Sequence, residues 1–385
     1  MQRRIIICGL FKYPRGNACA NYMQNLTKAL IAAGYEVVLV CDINTEYLHD
    51  KVSSFKGAKI FNIMHSGKYK YINRLLNGKL FKVQFYLKLK TLNLNERDLI
   101  ISTNVPIIRK TLQYLQIRYK FKICGYIGEW FSKNQFSTIK EAKQNDKNFL
   151  ANRNLDMILP VSYYIEKEFF NSNAKSLVLP PLVDVQEYTF NQKKQKKYEF
   201  ILPAMGMMKD ALNNMILGIS DLSVQELNDF KFHILGVSKD QIQDIAKNDW
   251  NKIKNTLVFH SWMKYEELIS LYQQCHYLFL ARDTNQMTLS NFPSKVPEVM
   301  TYGIVPVCSN VGDYTKFYLK DNYDSLIFEG CDRKQCSKAI KRAIDLSFDE
   351  YAILSLNARK TVEDKFDYHN WIDQLRNTIE NLWKL

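Results

Sequence analysis

Continuous apolar runs and longer amphipathic stretches take turns along almost the whole chain. The runs predict buried parallel strands near Arg4–Gly9, Glu36–Cys41, Lys59–Ile63, Leu99–Ser102, Lys122–Ile127, Met157–Pro160 and Ser176–Leu179. Between them the spacing predicts helices such as Asn17–Ala33, closed by Gly34, and Tyr163–Asn171. After Pro180-Pro181 comes a polar tract, Asn191–Lys197, with no periodic apolar residues, which reads as a linker. The pattern then restarts with strands near Glu199–Leu202, Phe230–Leu235, Thr256–Phe259, Tyr277–Leu280, Ile304–Cys308 and Ser325–Phe328. Such alternation predicts an α/β protein of two doubly wound, Rossmann-like domains. The expected division is 1–190, 191–366 and a final stretch 367–385. In that stretch Trp371, Leu375, Ile379 and Leu382 recur at helical spacing, so it is expected to pack back across the junction. Two such sheets facing each other make a central cleft at the carboxyl ends of their strands, where open α/β sheets bind ligands.

Composition adds little to the fold and much to the partners. A chain of 385 residues exceeds what one core fills, and 46% hydrophobic with 24% charged residues excludes disorder. No run approaches the ~18 apolar residues that span a bilayer. The start, Met1-Gln-Arg-Arg followed by Ile5–Leu10, reads as a first strand rather than a secretory signal, so a cytoplasmic location is expected. The eight cysteines, Cys8, Cys41, Cys124 and Cys308 among them, have no CxxC spacing and read as reduced core residues.

The net charge of +14 is carried by one half: residues 1–190 hold 28 Lys+Arg against 14 Asp+Glu, and residues 191–385 hold 25 of each. Within the first half, Lys68–Lys90 has seven basic residues, five aromatics and no acid. A helix of that kind would lay Phe81, Phe85 and Leu89 among lipid headgroups while Lys79, Lys82, Lys88 and Lys90 meet anionic lipid. The alternative is a core-packed helix with solvated lysines. No helix-turn-helix, zinc-ligand or RNP-like pattern is present, so nucleic acid is not an expected partner.

Candidate chemistry follows the strands. After the first strand, Gly16 lets backbone approach a ligand at a helix start and Asn17 can cap that helix. After Lys122–Ile127 comes Glu129, a carboxylate able to orient or deprotonate an attacking hydroxyl. In the second half Lys209 is expected in the first turn of a helix, where its charge opposes the dipole unless an anion compensates. Arg282 follows the run Tyr277–Leu280, and Asn291-Phe-Pro-Ser-Lys295 supplies polar groups and a cation before a short helix expected around Glu298–Tyr302. Lys209, Arg282 and Lys295, with Asn291 and Ser294 beside them, suit a diphosphate, and Glu298 suits the vicinal hydroxyls of a ribose. There is no HExxH or Asp-x-Asp pair and the six histidines are scattered, so no metal site is expected. Acyl-enzyme and Walker A motifs are also absent from the sequence.

Three stretches resemble the family 4 retaining glycosyltransferases of the GT-B fold, of polysaccharide- or capsule-assembly type. They are Gly9–Tyr22 with Leu26, Leu30 and Gly34–Val37; Gly128-Glu129-Trp130 with Asp156–Ser162 and Leu179–Asp184; and Leu278–Arg282 with Phe292–Glu298 and Gly303–Val307. The resemblance implies a UDP- or GDP-linked sugar donor held by the second domain and a glycan or lipid-linked glycan acceptor held by the first. It further implies retention of configuration; no metal or cofactor is expected, and the basic first half with a lipid-linked acceptor points to the inner face of the membrane. It would place Lys209 and Arg282 on the donor phosphates, Glu298 on the ribose, the Gly16 loop near the phosphate or transferred sugar, and Glu129 near the reacting hydroxyl. One departure stands out: the family's paired glutamates would need Glu at position 290, which is Ser290. The competing readings are an epimerase or hydrolase of nucleotide-sugars on the same scaffold, and a non-catalytic sugar-nucleotide or membrane-surface binding protein.

Overall fold

The computed structural model describes residues 3–43, 54–64, 69–191, 198–203, 209–261 and 263–384. Lys68, most of the expected linker and residues 204–208 lie outside the described residues. The chain divides into two compact units, Met1–Leu182 with Tyr368–Leu385, and Val183–Asp367.

In unit 1 eight strands form one sheet: β1 (Arg4–Tyr13), β2 (Glu36–Ile43), β3 (Ser54–Phe55), β4 (Ala58–Asn62), β5 (Leu99–Thr103), β6 (Lys122–Ile127), β7 (Met157–Pro160) and β8 (Lys175–Ser176). Their order is β3-β4-β2-β1-β5-β6-β7-β8, all parallel except the small β3–β4 hairpin. That hairpin escapes the periodicity because it offers only two residues per arm; Lys56 and Gly57 turn it with φ of 48° and 87°. The continuous apolar runs arise because both faces are covered: Ile5, Ile6, Ile7 and Cys8 are all fully buried. Helices α1 (Ala18–Ala32), α2 (Lys70–Asn77), α3 (Phe81–Lys90), α4 (Pro106–Tyr119) and α5 (Ile139–Leu150) lie among these strands in sequence. The C-terminal segment is part of this unit. Arg376 Nε donates to the carbonyl of Ala33 at the end of α1 (3.0 Å), Tyr35 donates to Glu380 (3.0 Å), and Arg3 lies 4.3 Å over the Trp383 ring. A guanidinium on the last carbonyls of a helix meets the negative end of its dipole.

Unit 2 holds a six-stranded parallel sheet of β9 (Tyr198–Pro203), β10 (Phe230–Leu235), β11 (Leu257–His260), β12 (Tyr277–Leu280), β13 (Val305–Ser309) and β14 (Leu326–Phe328), in the order β11-β10-β9-β12-β13-β14. Its core is aromatic, with Phe200 stacked on Phe232 at 5.5 Å and on Tyr277 at 4.9 Å. In each sheet the order reverses at one place, between β1 and β5 in unit 1 and between β9 and β12 in unit 2. Open α/β sheets bind ligands at the carboxyl edge beside such a reversal.

Candidate functional site

In unit 2 the cations gather at that reversal. Residues Tyr277–Ala281 are wholly buried, so β12 runs rigidly up to Arg282. There Ser309 clips the backbone to β13: its hydroxyl accepts from the Arg282 N–H (2.8 Å) and donates to the Arg282 carbonyl (3.0 Å). Arg282 Nε donates to Asp210 Oδ1 at 2.8 Å, its Nη1 donates to Asn291 Oδ1 at 3.1 Å, and Lys295 Nζ donates to Asp210 Oδ2 at 3.1 Å. The Asp210 side chain is 8% exposed, that of Arg282 3% and that of Lys295 19%. Burial pushes the Asp210 carboxyl up, but the charges and hydrogen bonds of Lys295 and Arg282 outweigh it and hold the group below the usual carboxylate range. Burial pushes the Lys295 ammonium down, opposed by Asp210 and reinforced by Arg282 and Lys209. Lys209 therefore stands close enough for its charge to be felt at Lys295.

Two expectations about local structure are corrected. Lys209 does not open a helix: the helix is Leu212–Ser220, with Ala211 at its N-cap. Ala211 instead donates its N–H to the carbonyl of Ala281 (2.8 Å), so this segment is tied across to β12 before any helical turn forms. The dipole argument for Lys209 falls; proximity to Lys295 replaces it. The short helix spans Lys295–Met300 rather than Glu298–Tyr302. Pro297 sits in its first turn, where a missing N–H costs nothing, so Lys295 is the first helical residue.

Of the remaining candidates, Asn291 orients Arg282, Ser294 precedes the helix without a side-chain capping bond, and Glu298 lies one turn beyond Lys295. Burial and then the charge of Glu298 raise the Tyr272 phenol. Ser290 is fully buried at the end of the helix Gln286–Ser290, its hydroxyl donating to the Met287 carbonyl (3.1 Å). A longer carboxylate would not fit there unchanged. Asp210 is the residue that sequence reasoning missed. The available signal was electrostatic: three cations on neighbouring strand-following loops need a counter-charge, and Asp210 is adjacent to one of them.

In unit 1 Gly16 is exposed in the turn after β1, and the Asn17 side chain accepts from the Ala20 N–H at 2.9 Å, capping α1. Glu129 follows β6 and is half-buried. Burial and then the Glu129 charge push the Cys19 thiol, in the first turn of α1, up to about 12. It also bears on Tyr126, whose ring lies 4.4 Å from that of Tyr22. The next residue anchors the loop: Trp130 Nε1 donates to Asp146 (2.9 Å) and its ring stacks on Phe149 at 4.2 Å. Gly16, Asn17 and Glu129 thus share one end of unit 1. Among the described residues no group of three His, Cys, Asp or Glu side chains is arranged to hold a metal ion.

The basic segment is corrected in its orientation. Phe81, Phe85 and Leu89 are at most 5% exposed and belong to the unit 1 core. Phe85 faces the sheet, not lipid, because the i, i+4, i+8 stripe of a helix lying on a sheet looks the same as one lying on a membrane. Lys79, Lys82 and Lys90 are exposed, and Lys88 is half-buried, its ammonium pushed down by burial. No helix among the described residues is long and apolar enough to cross a membrane.

Residues 184–361, nearly all of unit 2, match the family model for glycosyl transferases group 1. No curated protein matches the chain. Among solved structures it is similar to the sucrose-phosphate synthase of Thermosynechococcus elongatus, at 14% identity, TM-score 0.74 and 99% coverage of both chains. It is also similar to Anabaena HepE in complex with UDP and glucose, at 12% identity, TM-score 0.69, and 99% and 100% coverage. A third is the pneumococcal O-GlcNAc transferase GtfA in complex with UDP and GlcNAc, at 10% identity, TM-score 0.71 and full coverage of both chains. The chain thus has the GT-B fold of two Rossmann-like units, and the second of them is a glycosyl transferases group 1 domain.

Proposed function

We propose that unit 2 binds a nucleoside diphosphate sugar, UDP- or GDP-linked, and that the sugar passes to a glycan or lipid-linked glycan held by unit 1, with retention of configuration. The observation that carries this is the Asp210-bridged pair Arg282 and Lys295, with Lys209 near, at the strand reversal of a group 1 domain. Cleavage of the donor leaves negative charge on the diphosphate. Preorganised cations meet that charge without a metal, and Asp210 keeps them paired and aligned until a ligand arrives. Glu298 would take the ribose hydroxyls, and Glu129 with the Gly16–Asn17 turn would face the reacting acceptor hydroxyl. The basic excess of unit 1 supports an acceptor presented at an anionic membrane surface on the cytoplasmic side, as in cell-surface polysaccharide assembly.

The test is thermal stabilisation by nucleoside diphosphates and their sugar conjugates, followed by turnover with lipid-linked acceptors. A ligand that binds only the folded state raises its stability with concentration. The expected result is stabilisation by one base and one sugar, weakened in Lys295→Ala, with transfer to the acceptor reduced at least about tenfold in Glu129→Gln. Equal stabilisation of wild type and Lys295→Ala would end the donor assignment.

A further inference from the structure

At the amino edge of the unit 1 sheet, the edge opposite Gly16 and Glu129, lies a cavity of about 740 Å³, within the range of small-ligand pockets. Strand register gathers its cations. Ile5, Leu99 and Lys122 are partners across the neighbouring strands β1, β5 and β6, and two residues before each stands a cation that lines the cavity: Arg3, Arg97 and Lys120. Lys122 itself and Arg376 line it as well, against two acids, Glu96 and Glu380. Glu380 is already engaged, paired with Arg3 and accepting from the Tyr35 hydroxyl at 3.0 Å. Acids on the adjoining segments are answered too: Glu36 by Lys59, Asp98 by Arg4, Asp156 by Lys122 and Asp373 by Arg376. Among the described residues Arg97 and Lys120 have no ion-pair partner. The helix ends at this edge are capped. Gly34, with φ +92°, closes α1, where Arg376 takes the Ala33 carbonyl, and Lys120, with φ +60°, closes α4 with its N–H on the Gln116 carbonyl. Burial pushes the Tyr35 phenol up, and the charges of Arg3 and Arg376 both pull it down, the sign expected of a surplus of cations.

We propose that this cavity is a second ligand site, separate from the donor site of unit 2, and that it takes the phosphate of a small phosphate-bearing molecule between Arg97 and Lys120 of the sheet edge and Arg376 of the C-terminal segment. Guanidinium and ammonium groups meet a phosphate with short, charge-assisted hydrogen bonds. Trp383 holds that segment against the same edge, its ring 4.3 Å from Arg3 and its Nε1 donating to the Glu96 carbonyl at 3.1 Å. The ligand therefore staples Tyr368–Leu385 to the starts of β5 and β6. It does not touch the reacting groups. The six residues of β6, at about 3.3 Å each, put roughly 20 Å between Lys122 and the end of the strand that precedes Glu129. The role is regulatory, exerted through the docking of the C-terminal segment.

The experiment titrates the full chain with inorganic pyrophosphate and with glucose 6-phosphate, against sodium sulfate at equal ionic strength, and follows amide hydrogen exchange of Tyr368–Leu385, which reads affinity and place together. Wild type is compared with Lys295→Ala, Arg97→Gln/Lys120→Asn and Glu96→Gln. The three unit 1 side chains are exposed and asparagine tolerates the left-handed backbone at position 120, so an unchanged melting temperature verifies folding. Exchange of the segment is expected to slow at the same probe concentration in wild type and Lys295→Ala. Arg97→Gln/Lys120→Asn should need at least about ten times more probe, and Glu96→Gln, freed of a lining acid, less. Stronger action of glucose 6-phosphate assigns the site to a sugar phosphate, and stronger action of pyrophosphate to the free anion. Protection no greater than with sulfate overturns the site, as does equal protection of Arg97→Gln/Lys120→Asn. Protection lost in Lys295→Ala places the anion at the donor site and overturns it too. Stabilisation by UDP, compared between wild type and Lys295→Ala, decides the donor reading separately.

Discussion

Asp210 meets Arg282 through Oδ1 and Nε at 2.8 Å, and both side chains are less than a tenth exposed. The pair spans the one place in the unit 2 sheet where strand order reverses. With the second oxygen of Asp210 committed to Lys295, one carboxylate holds two cations that a diphosphate would otherwise have to order for itself.

Replacing Asp210 by Asn keeps the shape and removes the charge. Leaving buried cations without their partner costs about 3–5 kcal/mol, and a domain of this size loses about 2–4 °C per kcal/mol. Asp210→Asn should therefore melt several degrees lower. A nucleoside diphosphate then supplies the missing negative charge, so its stabilising shift should be larger in Asp210→Asn than in wild type. Differential scanning with and without UDP measures both; an equal shift would mean the diphosphate does not reach these cations.

The same carboxylate sets an acid limit. Its pKa is depressed in the folded state, so the stability it contributes is complete above the ordinary carboxyl value of about 3.9 and is lost as pH falls through the folded value. Over that window its loss amounts to about 1.4 kcal/mol per pH unit. Denaturant titrations below pH 4 should show a shallower dependence in Asp210→Asn than in wild type.

Gly303 ends the segment that carries Lys295. Its φ is +67°, and a Cβ there would lie 2.3 Å from the Phe190 ring and 2.5 Å from Ser355 Oγ, the group that donates to its own carbonyl at 2.6 Å. Left-handed strain and overpacking together cost about 2–4 kcal/mol. Gly303→Ala should lower the melting temperature of the protein and weaken UDP binding, because the helix Lys295–Met300 must shift to make room. Calorimetry and a binding titration check it.

The sheets were legible because parallel strands buried on both faces leave unbroken apolar runs; Lys122–Ile127, Met157–Pro160, Phe230–Leu235 and Tyr277–Leu280 have the bounds that the runs predict. Helix ends were less so. Pro297 reads as a breaker and conceals that the helix begins two residues before it, while Ala211 is held by a bond to Ala281 that no local pattern announces. Phe81, Phe85 and Leu89 show the limit of periodicity, which finds an apolar face and not what covers it. The apolar residues that do face outward, Leu80, Val83 and Leu87, lie on the side assigned to lysines alone. Asp210 was hidden by its neighbour, since a carboxylate next to a lysine in sequence reads as an ordinary surface pair until the sheet brings Arg282 and Lys295 around it.

Lys209 and Lys295 separate binding charge from structural charge. Lys295 is hydrogen-bonded to Asp210 and mostly buried, so Lys295→Ala removes half of the pairing that keeps Asp210 ionised, along with a cation for the donor. Lys209 lies on a non-helical segment, and its charge helps push the Lys295 ammonium down, so its removal relieves repulsion among the cations. Losing one preorganised charge on a developing anion costs about 2–4 kcal/mol of transition-state stabilisation. Both variants should lose at least about tenfold in kcat/KM for the donor, while only Lys295→Ala melts at a lower temperature. Steady-state kinetics alongside thermal unfolding distinguish them. A Lys209→Ala protein with unaltered turnover would remove Lys209 from the donor site and leave Arg282 and Lys295 as its cations.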